Sequence, residues 1–170
     1  HGSGYCGGER GRLGLAAQRE NEAVTNWVRR EETAALGQFP GMAPNTTQEI
    51  SLPVLGGSTA TPATGLEAEI VAVDNFAELQ ELGRKNVSGK IVLFNELFDK
   101  QLAAQGFAGP AYGQAVAYRA AGPSAAARLG AVAALVRSVG GAEYRRPHTG
   151  QTRYAADAPT VSAAAGTAAD

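Results

Sequence analysis

The rhythm of hydrophobic and polar positions changes along residues 66–140, and each change predicts an element. "LEAEIVAVD" alternates, with Glu67 and Glu69 on one face and Leu66, Ala68 and Ile70 on the other, as in a strand near 69–73. "NFAELQELGRK" then switches to helical spacing. Phe76, Leu79 and Leu82 share a face, Asn75 is placed to cap the first turn, and Glu81 with Lys85 forms an i,i+4 pair, predicting a helix near 76–85. In "NVSGKIVLFN", Ser88-Gly89 turns the chain and Ile91 to Phe94 fill a buried strand near 90–94.

"GPSAAARLGAVAALVRSVGG", residues 122–141, reads as a helix followed by a strand. Pro123 suits the first helical position and Gly130 the left-handed stop, predicting a helix near 122–129. Ala131 to Val136 is an unbroken apolar run, which predicts a strand near 131–136 covered on both faces, ended by Arg137. A membrane span needs roughly 20 consecutive apolar residues, and Arg128, Arg137 and the glycines interrupt this stretch, so no span is expected.

The rest is less periodic. Residues 1–20 are Gly-rich and carry no sustained pattern, and "ENEAVTNWVRREETAAL" fits either a strand or a short helix. "GQFPGMAPNTTQEIS" is a loop by its Pro, Gly and Asn content, and "ISLPVLGGSTATPATG" is a short apolar segment running into turns. Residues 96–121 contain Gly106, Gly109-Pro110 and Gly113, which predicts an irregular middle with helical or extended ends. Tyr112 and Tyr118 within it are expected to pack in the core or its rim. Toward the end come a "PHTG" turn, a short strand in "PTVSA" and the start of a helix at 167–170.

With 170 residues the chain can build one domain with a real core. A net charge of −1, with "RR" only at 29–30 and 145–146, argues against a nucleic-acid surface. Cys6 is the lone cysteine, which excludes an internal disulfide and a thiolate metal cluster. The chain starts without methionine and without a signal-peptide pattern, so it reads as a fragment or processed product.

Candidate chemistry is sparse. Gly2, Gly4 and Gly7 spell G-x-G-x-x-G, but no strand precedes them, and a pyrophosphate cradle requires one. Glu67 and Glu69 form a carboxylate pair with no histidine beside them, better read as a solvated strand face. Ser124, His148 and Asp157 lack any nucleophile-elbow motif, and His1 and His148 alone cannot supply a two-metal site. Neither a catalytic residue, a bound cofactor nor a metal ligand is therefore expected. "NTT" at 45–47 and "NVS" at 86–88 are N-glycosylation sequons, both expected in loop or turn, with Asn45 the favoured carrier over Asn86. "YRRPHTG" combines Tyr144, Arg145, Arg146 and His148 in a turn, residue types enriched at contact surfaces.

"GKIVLFN" (89–95), "YGQAVAYRAAGPSAAARLGAVAALVRSVG" (112–140) and "YRRPHTG" (144–150), in that order, resemble the protease-associated domain inserted in zinc exopeptidases of the carboxypeptidase Q type. "LGGSTATPATG" (55–65) and "NWVRREETAAL" (26–36) fit the same pattern, although Arg30 stands where that family usually has glycine. The resemblance covers about residues 24–170 and leaves 1–23 as a Gly-rich or divergent N-terminal segment. It implies an α/β fold with a twisted, partly closed, barrel-like sheet flanked by short helices. It also implies a noncatalytic accessory domain of a secreted peptidase, restricting substrate access or supporting assembly. Two zinc ions would belong to a catalytic domain outside this chain. Partners so implied are that catalytic domain, a homodimer mate and the parent's peptide substrates. The compartment would be extracellular, secretory or lysosomal in a eukaryote, and periplasmic or secreted in a bacterium. The alternative is the same domain in a sorting receptor or other protein-binding module.

Overall fold

Alternation along four short strands sorts their side chains onto two unlike faces. In the computed structural model, which describes residues 27–37, 41–140, 147–148 and 150–167, β1 (Ala35–Leu36) and β2 (Gln48–Glu49) make a small antiparallel ribbon. β3 (Ile70–Val73), β4 (Ile91–Phe94), β5 (Ala133–Arg137) and β6 (Ser162–Gly166) form a parallel sheet in sequential order. Val71, Val73, Val92, Phe94, Ala134, Val136, Ala163 and Ala165 point to one side, where the core lies. Ile70, Ile91, Ala133, Leu135, Ser162 and Ala164 point to the other.

The core side is closed by helices α1 (Phe76–Val87) and α3 (Ala108–Arg128), which touch each other and pack on the strands. Asn75 caps α1 as its sequence predicts, its Oδ1 accepting from the Glu78 N–H at 2.9 Å. Leu79 and Val87 are fully buried beneath the helix. Gly83, at φ +63°, breaks the helix, so Glu81 and Lys85 stand on either side of a kink rather than one turn apart. The helix resumes and runs to Val87, which places Asn86 in its last turn and not in the expected turn.

A correction concerns residues 96–128. The irregularity expected across 96–121 is confined to a wide turn through Gly106 after a short helix α2 (Lys100–Leu102), and the helix expected to begin at Pro123 instead begins at Ala108, so that α3 runs to Arg128. Gly109-Pro110 is tolerated because it lies in the first turn, where no N–H has an intrahelical acceptor. Pro123 is interior and buried. There it offers no N–H to the Arg119 carbonyl one turn earlier, and the adjacent Ala120 carbonyl accepts the Arg153 N–H at 3.0 Å. The helix end agrees with expectation. Gly130 adopts φ +86°, the Ala131 N–H reaches the Ala126 carbonyl (3.1 Å) and the Gly130 N–H that of Ala127 (2.9 Å), the paired bonds of a Schellman stop.

The mixed α/β class stands as expected, while the pairings among the described residues define an open sheet. Its β6 edge is covered: the Leu55 N–H donates to Ala163 O (2.9 Å), the Ala165 N–H donates to Pro53 O (3.0 Å), and Gly56 pairs with Gln151 beyond. No strand among the described residues pairs with the outer edge of β3, so the ladder ends there.

Two surface ion pairs set an acid response. Lys90 lies 2.9 Å from Glu69 and Arg128 lies 2.7 Å from Asp157, which ties the end of α3 to the segment leading into β6. Hydrogen bonding to Lys90 lowers the Glu69 pKa, and hydrogen bonding to Arg128 lowers that of Asp157, both below the ordinary carboxylate range. Depressed folded-state values mean that each contribution is present above the unfolded carboxylate pKa and is lost as pH falls through the folded one. Urea midpoints measured from pH 7 down to about pH 3 should therefore fall for the parent chain and fall less for Asp157→Asn. Both groups are exposed, so the difference is expected to be small. Parallel curves for the two proteins would assign the acid response elsewhere.

Candidate functional site

Two features outside the core carry polar or cavity chemistry. The first lies at α3 and the 147–150 segment. Tyr112 and Arg119 are seven residues apart on one helix, two turns on the same face. The Arg119 Nη2 donates to the Tyr112 hydroxyl at 3.0 Å, and that hydroxyl lies 3.3 Å from the His148 Nε2. With Arg119 supplying a proton to the phenol oxygen, the phenol O–H is free to donate to His148. The two rings meet edge to face at 6.1 Å. The His148 backbone N–H donates to the Ser138 Oγ at 2.8 Å, which fastens the loop to the residue after β5. Gly150 completes the cluster, because a Cβ there would overlap the Arg119 guanidinium.

His148 is thus exposed and hydrogen-bonded locally. Tyr144, Arg145 and Arg146, expected beside it, lie outside the described residues, as do His1, Gly2, Gly4, Cys6, Gly7 and the helix expected at 167–170 beyond Thr167. The i,i+7 spacing of Tyr112 and Arg119 was the available signal for this cluster. Nothing local linked it to His148.

Ser124, His148 and Asp157 do not converge. The Ser124 Oγ is buried and accepts the Ala155 N–H at 2.9 Å, Asp157 pairs with Arg128, and His148 faces Tyr112. Tyr118 belongs to the core rim, stacked on Phe76 at 4.5 Å, and burial first and Glu96 second raise its pKa. Among the described residues no three His, Cys, Asp or Glu side chains group as metal ligands, so the donor set of a two-zinc centre is not contained in them. Asn45 sits exposed in a turn at φ +60°. Asn86 is also exposed, with its Nδ2 donating to Leu82 O at 2.8 Å.

The second feature is a groove on the sheet face away from the helices. Residues 27–36 cross that face as a strap, mostly irregular chain ending in β1, while the earlier part of the segment expected as a strand or short helix, residues 20–26, lies outside the described residues. The Trp27 indole N–H donates to Ser58 O (2.9 Å) and the Arg29 Nη2 to Val54 O (2.7 Å). Arg29 also pairs with Glu32 at 2.7 Å and lies over the Trp27 ring at 5.8 Å. Ser58 serves both layers, since its Oγ accepts the Ala163 N–H of β6 at 2.8 Å. Between strap and sheet remains a cavity of about 500 Å³ lined by Val28, Leu36, Leu66, Ile70, Ile91 and Leu135 among others. The expected two-sided burial of β5 is therefore only partly met: Val136 is buried against the helices, whereas Leu135 faces the groove half-buried.

No helix of the described residues is long and apolar enough to cross a membrane. No family model matches the chain. It is 38% identical over 147 residues to a carboxypeptidase Q of Xenopus laevis, covering 86% of this chain and 28% of that protein. To the human carboxypeptidase Q it is 33% identical over 147 residues, covering 86% of this chain and 27% of that protein. In structure it resembles the peptidase M28 precursor of Shewanella amazonensis, with a TM-score of 0.67 at 33% identity over 79% of this chain and 28% of that one. The chain thus spans little more than a quarter of the length of these relatives.

Proposed function

We propose, from the relationship of this chain to carboxypeptidase Q-like M28 peptidases, that it is a protease-associated accessory domain, noncatalytic by itself, of a two-zinc exopeptidase. The observation that carries this reading is the asymmetry of the match: it takes in 86% of this chain but 28% of the frog relative, so most of a peptidase lies outside it. The described residues agree with a packing role. Their sole histidine is engaged with Tyr112 and Ser138, and their polar clusters tie elements together. The zinc ions would supply water activation in the catalytic part, and no step of that chemistry is assigned to residues here. In this reading the segment holding Tyr144, Arg145, Arg146 and His148 faces the catalytic domain or a dimer mate, and the domain limits substrate access or supports assembly. The parent would act outside the cytoplasm on peptides. In a eukaryotic host Asn45 would carry the glycan, because the Asn86 amide nitrogen already donates within α1.

The 170-residue chain by itself is expected to release no amino acid from dipeptides and to show no submicromolar zinc binding by calorimetry. A structural or catalytic zinc needs three or four convergent ligands. Submicromolar affinity abolished by His148→Ala, together with dipeptide hydrolysis, would overturn the reading.

A further inference from the structure

We infer that the strap side of the sheet is the face on which the remainder of a carboxypeptidase Q-like chain docks, placing an apolar side chain in the groove; this rests on the accessory-domain reading. Of the five exposed large apolar side chains among the described residues, three lie there, and Leu97 and Phe107 lie elsewhere. Trp27, Val28 and Ile70, at 36%, 63% and 44% exposure, all line the one groove, and such concentration marks an interaction surface. The opposite face of the sheet is already closed by α1 and α3. The groove, at about 500 Å³, accepts a few side chains rather than a whole partner. A free protein partner needs an interface of about 1,000 Å² or more, whereas a segment of the same chain is held at high effective concentration and needs less. The relatives are several times longer than their match to this chain, so such a segment is available in them. Arg30 and Glu31 stand at the groove. The docking surface therefore presents an apolar protrusion flanked by charges of both signs, an apolar centre with a polar rim.

In the Shewanella peptidase structure, the positions aligned with Val28, Ile70 and Leu135 should lose most of their exposure against the remainder of that chain. If they stay open to solvent while another face of the aligned unit makes the contact, the docking face is wrong and the accessory-domain reading survives. An aligned unit that touches the rest of the chain nowhere would remove both. In the full-length protein that carries this chain, Val28→Asp should speed proteolytic release of the unit at least ten-fold, while Phe107→Asp, exposed outside the groove, leaves release unchanged. The melting curve of the 170-residue chain with Val28→Asp should match the parent's, since Val28 is exposed. Unchanged release in Val28→Asp, or equal acceleration by both variants, would overturn the inference.

Discussion

Replacing Phe94 by alanine is expected to lower stability by about 3–5 kcal/mol, the largest loss from any single truncation here. Phe94 is fully buried at the end of β4 and meets the rings of Phe76 at 5.7 Å and Tyr118 at 5.8 Å, so it joins sheet, α1 and α3. Its ring lies against Gly122 so closely that a Cβ there would stand 2.8 Å from the Phe94 Cε2. Gly122→Ala alone should therefore destabilise by about 1–3 kcal/mol through overpacking. In the Phe94→Ala background the same added methyl enters vacated space, and Gly122→Ala should become neutral or stabilising, helped by the better helix propensity of alanine. Urea denaturation of the parent chain and the three variants closes the cycle. Additive losses would mean that helix and ring do not share the contact.

Val136→Asp should cost about 4 kcal/mol or more, enough to remove cooperative unfolding from a marginally stable domain. Val136 is 2% exposed on the helix side of β5, within the buried hydrophobic cluster, where a carboxylate would be stripped of water. Leu135→Asp, one residue earlier, should cost about 1–2 kcal/mol, since its side chain points into a groove that water can enter. Equal losses in the two variants would show that the strap seals the second face as tightly as the helices seal the first.

That asymmetry could not be read from "AVAALV". An unbroken apolar run is compatible with cover on both faces, and it does not tell a packed helix layer from a strap with a cavity beneath it. The Asn75 cap, the Gly130 stop and strands β3 to β5 were legible within about two residues, because each depends on neighbours a few positions away. The start of α3 was misread for the opposite reason. Gly109, Pro110, Gly113 and Pro123 all argue locally against a long helix, yet Gly122 lets it approach the sheet at Phe94, and the Arg153 N–H bonds the helix at the Ala120 carbonyl. Tertiary contact overrode propensity along that segment.

By itself the sequence determined most of the alternation of strands and helices and the turns at Ser88-Gly89 and Gly130. Those depend on short-range periodicity, capping and backbone sterics. Only the tertiary structure decided which strand face is sealed, that Ser58 joins strap and sheet, and that Tyr112 meets His148 across 36 residues of chain. Such pairings depend on how layers stack, and in one sequence no local energy term records which distant surfaces will meet.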